Sequence, residues 1–374
     1  MVAIALSGIA CSTAAERPDP HRTPRVLIHP DGTELRELRV VFHIHTKFSH
    51  DSDGSIGEVF DAAVATGCDA LVITDHDRRD AWVHQGVHNW KGRPLLAIVG
   101  VEYSTRLGHL IDVYPRELYP PKAPVQELID TIRAAGGMTI AAHPTGDKRP
   151  WQDWSLSGID GLEIYNVSSD HREDLPRIPG RLFSAILGRN DTVLASLDVP
   201  RATLNLWDRE EMTGRRLVGI GAANAHGFEL DARANFDAYE NNFALMANRL
   251  WVRSFDEAGF REALAAGRSY VGFDALGDPA GFEFDFVRED GRWIVGDSVP
   301  PGARGTLRVR TPLPGRIELV RDGVRVRQVF GTELRLEGAG AGVWRVEVTR
   351  RDGRFGAWHP WILSNPIRVG RVER

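Results

Sequence analysis

The chain has 374 residues, of which 42% are apolar and 26% are charged, a balance typical of a soluble globular protein with room for two domains. Its net charge of -5 argues against general nucleic-acid binding, which needs an excess of basic side chains. Two cysteines, Cys11 and Cys68, are too few for a disulfide framework or a thiolate zinc site. A metal site in this protein must therefore use histidines and carboxylates.

Residues 1–24 are predicted to be a leader and linker. Met1–Ala10 is an apolar run of small residues, too short to span a membrane, and it ends at Cys11. The run resembles the end of a secretory signal, and the junction before Cys11 resembles a lipoprotein cleavage site, although Gly8 stands where Leu is usual. We expect an exported protein, periplasmic or held by a lipid anchor at Cys11, with a cytoplasmic protein as the alternative.

The most informative motif ends the first strong apolar run of the chain. Arg39–Ile44 is predicted to be a buried strand, and His43 and His45 lie at its end. Side chains at positions i and i+2 of a strand point to the same side, so we expect the two imidazoles to converge. Two carboxylates, Asp51 and Asp53, follow closely. This grouping is typical of a metal site.

Short apolar runs recur between residues 39 and 225, separated by segments with helical character. They are Val40–Ile44, Ala70–Thr74, Leu95–Val101, His109–Val113, Met138–Ala142, Gly161–Tyr165 and Leu217–Ala222. Seven such runs predict a parallel α/β barrel rather than an open sheet. Between the first two, Gly57–Ala65 has helical spacing and is predicted to end at Gly67.

Residues that commonly bind metals lie at or within every one of these runs. In chain order they are His43, His45, Asp75, His76, Glu102, His109, His143, Glu163, Asn224 and His226. In an α/β barrel the carboxyl ends of the strands share one mouth, where ligands bind and catalysis takes place. The pattern therefore predicts one metal site assembled from distant parts of the chain.

The last part of the chain has a different pattern. Phe255–Ala266 is predicted to be a helix, and the barrel domain is expected to close near Val271. Alternating segments follow at Thr306–Val309, Arg316–Val320, Val324–Val329, Glu333–Leu336 and Trp344–Val348, with hairpin-turn signals at Arg321-Asp322-Gly323 and Arg351-Asp352-Gly353. We predict a small antiparallel β-sandwich over residues 280–374.

Six motifs taken together resemble the PHP superfamily, the metallohydrolases named for polymerase and histidinol phosphatase domains. They are HIHTKFSHDSDGS from residue 43, ITDHD at 73–77, GVEYS at 100–104, GHL at 108–110, AHP at 142–144 and NAH at 224–226. The resemblance covers about residues 38–275. It implies a distorted (β/α)7 TIM-like barrel that binds two or three divalent ions, usually zinc, manganese or iron, and hydrolyses phosphoesters.

Two further segments are similar to one branch of that superfamily. Residues 267–271 (GRSYV) and 364–367 (SNPI) resemble the exported branch related to carbaryl hydrolase, in which the barrel carries a β-rich tail. This likeness implies export and a C-terminal accessory domain.

Carried over residue by residue, the resemblance implies three metal positions. The first is held by His43, His45 and Glu102. The second shares Glu102 as a bridging carboxylate and adds His109 and His143. The third is held by Asp51, His76 and His226. The spacing to the TDH motif favours Asp51 in that role, and Asp53 stays open as the alternative.

One departure from the family pattern concerns the first metal. Asn224 stands where the family usually has Asp, and an amide oxygen is a weaker, neutral ligand than a carboxylate. Either this metal is labile, or a carboxylate such as Asp75 or Glu163 compensates. Asp75 is expected to orient a ligating histidine or to bind metal itself.

The expected mechanism uses a bridging hydroxide on the metals as the nucleophile, with His43, His45, Glu102 and His143 acting through that water. A phosphate substrate also needs cationic groups near the metals. The candidates lie on the loops after the second and fifth runs and are Arg78, Arg79, Lys148 and Arg149, with plain solvated loop charges as the alternative.

The leading hypothesis is a phosphoesterase acting on a small-molecule ester, without sequence-specific nucleic-acid recognition. The second is a metal-dependent hydrolase of carboxyl or carbamate esters. A third is a barrel that binds metal or ligand without turnover, because Asn224 weakens the first site. Lone histidines without a ligand role in the resemblance, His50 among them, are expected to be ordinary surface or core side chains.

Overall fold

The computed structural model describes residues 18–20, 22–146, 149–167, 197–227, 238–302, 304–352 and 356–370. Three sequence predictions concern residues outside these ranges: the lipid anchor at Cys11, most of the leader, and Lys148 as a phosphate ligand. Gly353 of the second predicted hairpin turn also lies outside them.

The described residues form a mixed α/β structure dominated by strands. The strands are β1 (Val26–Ile28), β2 (Glu34–Ile44), β3 (Ala70–Ile73), β4 (Gly86–Trp90), β5 (Arg93–Val99), β6 (Val101–Thr105), β7 (Gly108–Asp112), β8 (Thr139–Ala141), β9 (Gly161–Asn166), β10 (Val218–Ala225), β11 (Ala247–Val252), β12 (Ser269–Gly272), β13 (Glu283–Arg288), β14 (Gly291–Ile294), β15 (Ser298–Val299), β16 (Gly305–Arg321), β17 (Val324–Ala339), β18 (Gly342–Arg351), β19 (Trp358–Ser364) and β20 (Ile367–Val369). The helices are α1 (Ile56–Ala65), α2 (Val125–Ala134), α3 (Arg201–Met212), α4 (Tyr239–Leu245) and α5 (Glu257–Ala266), with 3-10 turns at Asp80–His84 and Asp274–Leu276.

Each of the seven predicted runs coincides with a strand, and the paired strands follow the order β6, β7, β8, β9, β10, β2, β3, β5. The prediction of a wholly parallel sheet is wrong at β7, which runs antiparallel to both of its neighbours. Only Arg106 and Leu107 separate β6 from β7, and so short a link cannot make a parallel crossover.

A closed TIM-like barrel is not confirmed. Among the described strands, β5 and β6 occupy the two ends of this series and are joined through Gly100 rather than by a ladder. The ladders therefore leave the sheet open, although Glu102 N donates to Asp75 O at 3.3 Å and Asp77 N donates to Glu102 O at 3.1 Å beyond the end of β3. Even so, six consecutive strands of the series, β8, β9, β10, β2, β3 and β5, are parallel, so their carboxyl ends lie on one side.

Helix α1 fixes the loop that follows β2. Ser55 caps its start: Glu58 N donates to the Ser55 hydroxyl, and the Glu58 carboxylate accepts from Ser55 N at 2.6 Å. Such a capping box contributes about 1 kcal/mol. The buried face of the helix includes Val59 and Phe60, and Gly67 follows its end with φ +70°, as the predicted C-cap requires.

The C-terminal strands are longer than predicted. Predicted strand pairs merge into β16 and β17, which meet at the predicted turn, where Asp322 and Gly323 have φ +50° and +78°. A separate β-sandwich is not confirmed, because β12 pairs with β19 and so continues the ladders from β2 and β11 into the C-terminal strands. The domain boundary near residues 275–280 stays a prediction.

Candidate metal centre

The predicted metal ligands converge where strands β2, β3, β6, β7, β8 and β10 end or begin. The group comprises His43, His45, Asp51, His76, Glu102, His109, His143 and His226. Most of these side chains are buried, whereas Asp51 and His109 are partly exposed. Residues more than 180 positions apart in sequence therefore form one cluster, as predicted from the strand ends. No helix in the described residues is long and apolar enough to cross a membrane.

Glu102 lies at the centre of the cluster. Its Oε2 is 3.0 Å from Nε2 of His43 and 3.2 Å from Nε2 of His45. Its Oε1 is 2.8 Å from Nδ1 of His109 and 3.4 Å from Nε2 of His143. Oε2 is also 3.4 Å from Nε2 of His76. The two oxygens of one carboxylate thus face different imidazoles, which is the arrangement that a bridging ligand needs.

Asp51 lies in a third group of candidate ligands. Its Oδ2 lies 3.3 Å from Nε2 of His76 and 3.5 Å from Nε2 of His226. Its Oδ1 accepts a hydrogen bond of 2.7 Å from the Ser49 hydroxyl, which fixes the carboxylate in this direction. Asp53 is exposed to solvent. The structure therefore places Asp51 in the cluster, where the spacing argument put it.

Glu163 is hydrogen-bonded to two predicted ligands, His43 and His143. Its Oε1 lies 2.5 Å from Nδ1 of His43, whose Nε2 faces Glu102. Its Oε2 accepts from the backbone N–H of His143 at 2.6 Å and from Nδ2 of Asn166 at 2.8 Å. A buried carboxylate on the far nitrogen of a ligating imidazole fixes the tautomer and the ring orientation.

Asn224 is half-buried and belongs to the same network. Its Nδ2 donates to Oδ1 of Asn166 at 3.4 Å, and Asn166 in turn donates to Glu163. Of the two carboxylates considered as substitutes for the missing Asp, Glu163 is therefore the one that contacts His43. The amide acts on the site through Asn166 in this arrangement.

Asp75 accepts hydrogen bonds from Thr46 rather than from an imidazole. Its two oxygens accept from the backbone N–H of Thr46 at 2.6 Å and from the Thr46 hydroxyl at 2.9 Å. Burial raises the pKa of Asp75 to about 6. These contacts fix the residue that follows His45, so Asp75 positions the first ligand pair through the main chain.

Three residues at the strand ends have left-handed backbone conformations that only glycine adopts without cost. They are His43 with φ +64°, His143 with φ +28° and Asn224 with φ +47°. The pairing of β2 with β3 shifts its register at His43, so simple strand alternation does not explain why His43 and His45 converge. Strained conformations of this kind collect at functional sites, where they aim side chains that a regular strand cannot.

The charges of the cluster favour ionised carboxylates. Burial disfavours a charged imidazole at His43, but the carboxylates of Glu102 and Glu163 raise its pKa to about 10. Burial lowers the pKa of His45 to about 3. Burial also opposes ionisation of Glu102, yet His43 and His76 hold its pKa well below the ordinary value. An ionised, deprotonated carboxylate is the form that binds a metal.

Divalent ions fit this donor set. The Nε2 atoms of His43 and His45 are 3.0 Å apart, and Nδ1 of His109 is 3.2 Å from Nε2 of His143. Two ligands that bind one ion at ~2.0–2.2 Å lie roughly 3.0–3.5 Å apart in octahedral or tetrahedral geometry. Imidazole and carboxylate donors without thiolates suit zinc, manganese or iron.

The predicted phosphate-binding cations lie on the surface. Arg78 and Arg79 are exposed on the loop after β3, and Arg149 is exposed on the loop after β8.

The sequence predicts that His50 is an ordinary surface or core side chain. The residue is exposed, but its ring lies 4.9 Å from the ring of His76, and the sequence analysis did not predict this contact. Its position directly before Asp51 was the signal that it approaches the cluster.

Comparison with known proteins agrees with this geometry. Residues 42–174 match the model of the PHP domain. The matched span runs from the first His pair through His143 and Glu163, and it ends before Asn224 and His226. The candidate ligands at the end of β10 and directly after it therefore rest on the structure rather than on the match.

One curated protein and two solved structures are similar to parts of the chain. An uncharacterized protein of Methanocaldococcus jannaschii is 27% identical over 158 residues, which cover 37% of this chain and 86% of that protein. A two-domain protein of Bacteroides vulgatus, described as containing a predicted PHP-like metal-dependent phosphoesterase, is 16% identical with a TM-score of 0.46 and covers 92% of this chain and 99% of its own. An amidohydrolase of Chromobacterium violaceum is 15% identical with a TM-score of 0.32 over 50% of this chain and 87% of its own. Such low structural similarity does not define the reaction.

Proposed function

We propose that this protein is a metal-dependent phosphoesterase whose centre holds two or three divalent ions. The observation that carries the proposal is Glu102, whose two oxygens face His43 and His45 on one side and His109 and His143 on the other. The match of residues 42–174 to the PHP domain supports it.

Each group of candidate ligands would hold a separate ion. His43, His45 and Glu102 would hold the first ion, and Glu102, His109 and His143 the second. The third group, described above, would hold a further ion beside them. When bound, such ions lower the pKa of a water molecule so that it attacks phosphorus at neutral pH.

The surrounding residues would position these ligands and the substrate. Glu163 fixes the ring of His43 and the backbone of His143, and Asp75 fixes the loop that follows His45. Arg78 and Arg149 lie on loops at the same ends of the strands as the ligands, where their charge would attract an anionic ester. A protein nucleophile is not needed in this scheme.

An ester panel tests the proposal. The protein is loaded with Mn²⁺ or Zn²⁺ and assayed on nitrophenyl phosphate, bis-nitrophenyl phosphate and a naphthyl carboxylic ester, beside His45→Ala. We expect hydrolysis of at least one phosphate compound and a rate at least about 100-fold lower in the variant, since loss of one ligand disrupts the metal. Hydrolysis of the naphthyl ester alone would favour a carboxyl or carbamate ester hydrolase. Filled metal sites without turnover of any compound would favour a binding protein.

A further inference from the structure

We propose that His50 is a metal ligand at the outer edge of the centre, where it forms a solvent-facing position with Asp51 and His76. The inference rests on the proposed function, because it requires that the inner cluster binds metal. It adds a ligand that the motif pattern did not indicate.

The geometry places three donor atoms together. One ligand atom from each of His50, Asp51 and His76 lies within 4.8 Å of the other two. The ring centroids of His50 and His76 are 4.9 Å apart, with the planes tilted by 44°. Oδ2 of Asp51 is 3.3 Å from Nε2 of His76. Two imidazoles and one carboxylate are a common donor set for zinc, with further positions left to water.

The loop that carries His50 is fixed by its neighbours. Ser49 N donates to Thr46 O at 2.8 Å, which closes a turn just before His50. The Ser49 hydroxyl donates to Oδ1 of Asp51 and accepts from the backbone N–H of His76 at 3.2 Å. One serine thus ties together the loop after β2 and the end of β3. His50, Asp51 and His76, here called the outer triad, therefore lie on segments whose relative positions are fixed by hydrogen bonds.

Asp51 connects this triad to the inner cluster. It also belongs to a group with His45 and His226, and its Oδ2 faces both His76 and His226. Exposure falls from His50, which is exposed, through Asp51, which is half-buried, to His45, which is 0% exposed. An ion that arrives from solvent therefore meets the outer triad first. His50 slows the release of the ion that exchanges most readily with solvent.

The experiment compares metal release from three variants and the wild type. Each full-length protein is loaded with Co²⁺, whose visible absorption reports its ligands, and is then mixed with a chelator. His50→Ala removes the imidazole. His50→Phe keeps an aromatic ring beside His76 but has no ligating nitrogen. His84→Ala is the matched control, since His84 packs against the ring of Phe60 and lies outside the donor groups.

We expect both His50 variants to lose one Co²⁺ per chain at least about tenfold faster than the wild type, with a change in absorption, while His84→Ala is unchanged. Release from His50→Phe at the wild-type rate would overturn the inference and show that His50 only stacks on His76. A wild type that binds no Co²⁺ would overturn the proposed function as well, so the two failures are distinguishable.

Discussion

Nδ1 of His43 lies 2.5 Å from Oε1 of Glu163, and both side chains are buried. The other oxygen of the same carboxylate accepts from the backbone N–H of His143. One side chain therefore links a residue of the first predicted metal position with a residue of the second. Burial disfavours the carboxylate, but the neighbouring His43 lowers the pKa of Glu163 and keeps it ionised.

Glu163→Gln should weaken metal binding at both positions. The amide keeps the shape of the side chain, but its NH₂ group must face either Nδ1–H of His43 or the N–H of His143, and both are donors. We expect a loss of about 10- to 100-fold in Zn²⁺ affinity, measured by chelator competition. Glu117→Gln, an exposed carboxylate, is the control. Equal affinity in Glu163→Gln and the control would show that Glu163 does not position the ligands.

Asn224→Asp should tighten the first metal. A carboxylate at this position restores the charge that the amide lacks, although it gives up the donor that reaches Asn166. We expect Zn²⁺ to bind at least about tenfold more tightly in calorimetric titration. If the affinity stays at the wild-type value, residue 224 does not bind metal and acts on Asn166 alone.

Two glycines near the site should respond in opposite ways to alanine. A Cβ at Gly54 would overlap the ring of Tyr239, whose hydroxyl donates to the carbonyl of His45 at 2.6 Å. We expect Gly54→Ala to lower the free energy of unfolding by about 1–3 kcal/mol and to weaken metal binding.

Gly57 provides the matched control for that substitution. It lies in the first turn of α1, and a Cβ there would meet only Ser55 Oγ at 3.8 Å. Gly57→Ala should raise the free energy of unfolding by about 0.5–1 kcal/mol, since alanine is the better helix former. Urea denaturation measures both variants. Equal effects would contradict the described packing around Tyr239.

Asp112 should make stability depend on pH. Burial raises its pKa to about 7, and its Oδ2 is buried with no hydrogen-bond partner among the described residues. The unfolded chain ionises this group near pH ~4, so the folded state holds the extra proton between pH ~4 and ~7. The stability that this proton provides is complete below pH ~4 and is lost as pH rises through about 7.

Asp112→Asn should remove this dependence. The free energies of unfolding of metal-free wild type and variant should differ increasingly in favour of the variant from pH ~4 to ~8, by on the order of 2–4 kcal/mol. Urea denaturation across this range measures the difference. A constant difference at all pH values would mean that Asp112 titrates alike in the folded and unfolded chains.

The strands and the residues at their ends could be predicted because both signals are local. Buried strands are continuous apolar runs, and polar residues at their ends stand out against them. His143 and His226 were placed at the site in this way, and the structure brings them there.

The features that sequence reasoning missed depend on contacts between distant segments. The left-handed backbone at His43, the support of that ring by Glu163 and the approach of His50 to His76 all arise from packing across strands. The reversal of β7 followed from a two-residue link that the run spacing alone did not reveal. Strand direction needs the length of each connection as well as its pattern.

Metal content measured together with reactivation tests most directly whether this protein is a metal-dependent phosphoesterase. The purified protein is analysed for bound metal, stripped with a chelator, and assayed on a nitrophenyl phosphate before and after Mn²⁺ or Zn²⁺ is returned. We expect two or three divalent ions per chain, no activity after stripping, and recovery when metal is restored. Undiminished phosphoester hydrolysis by the stripped, metal-free protein would contradict it.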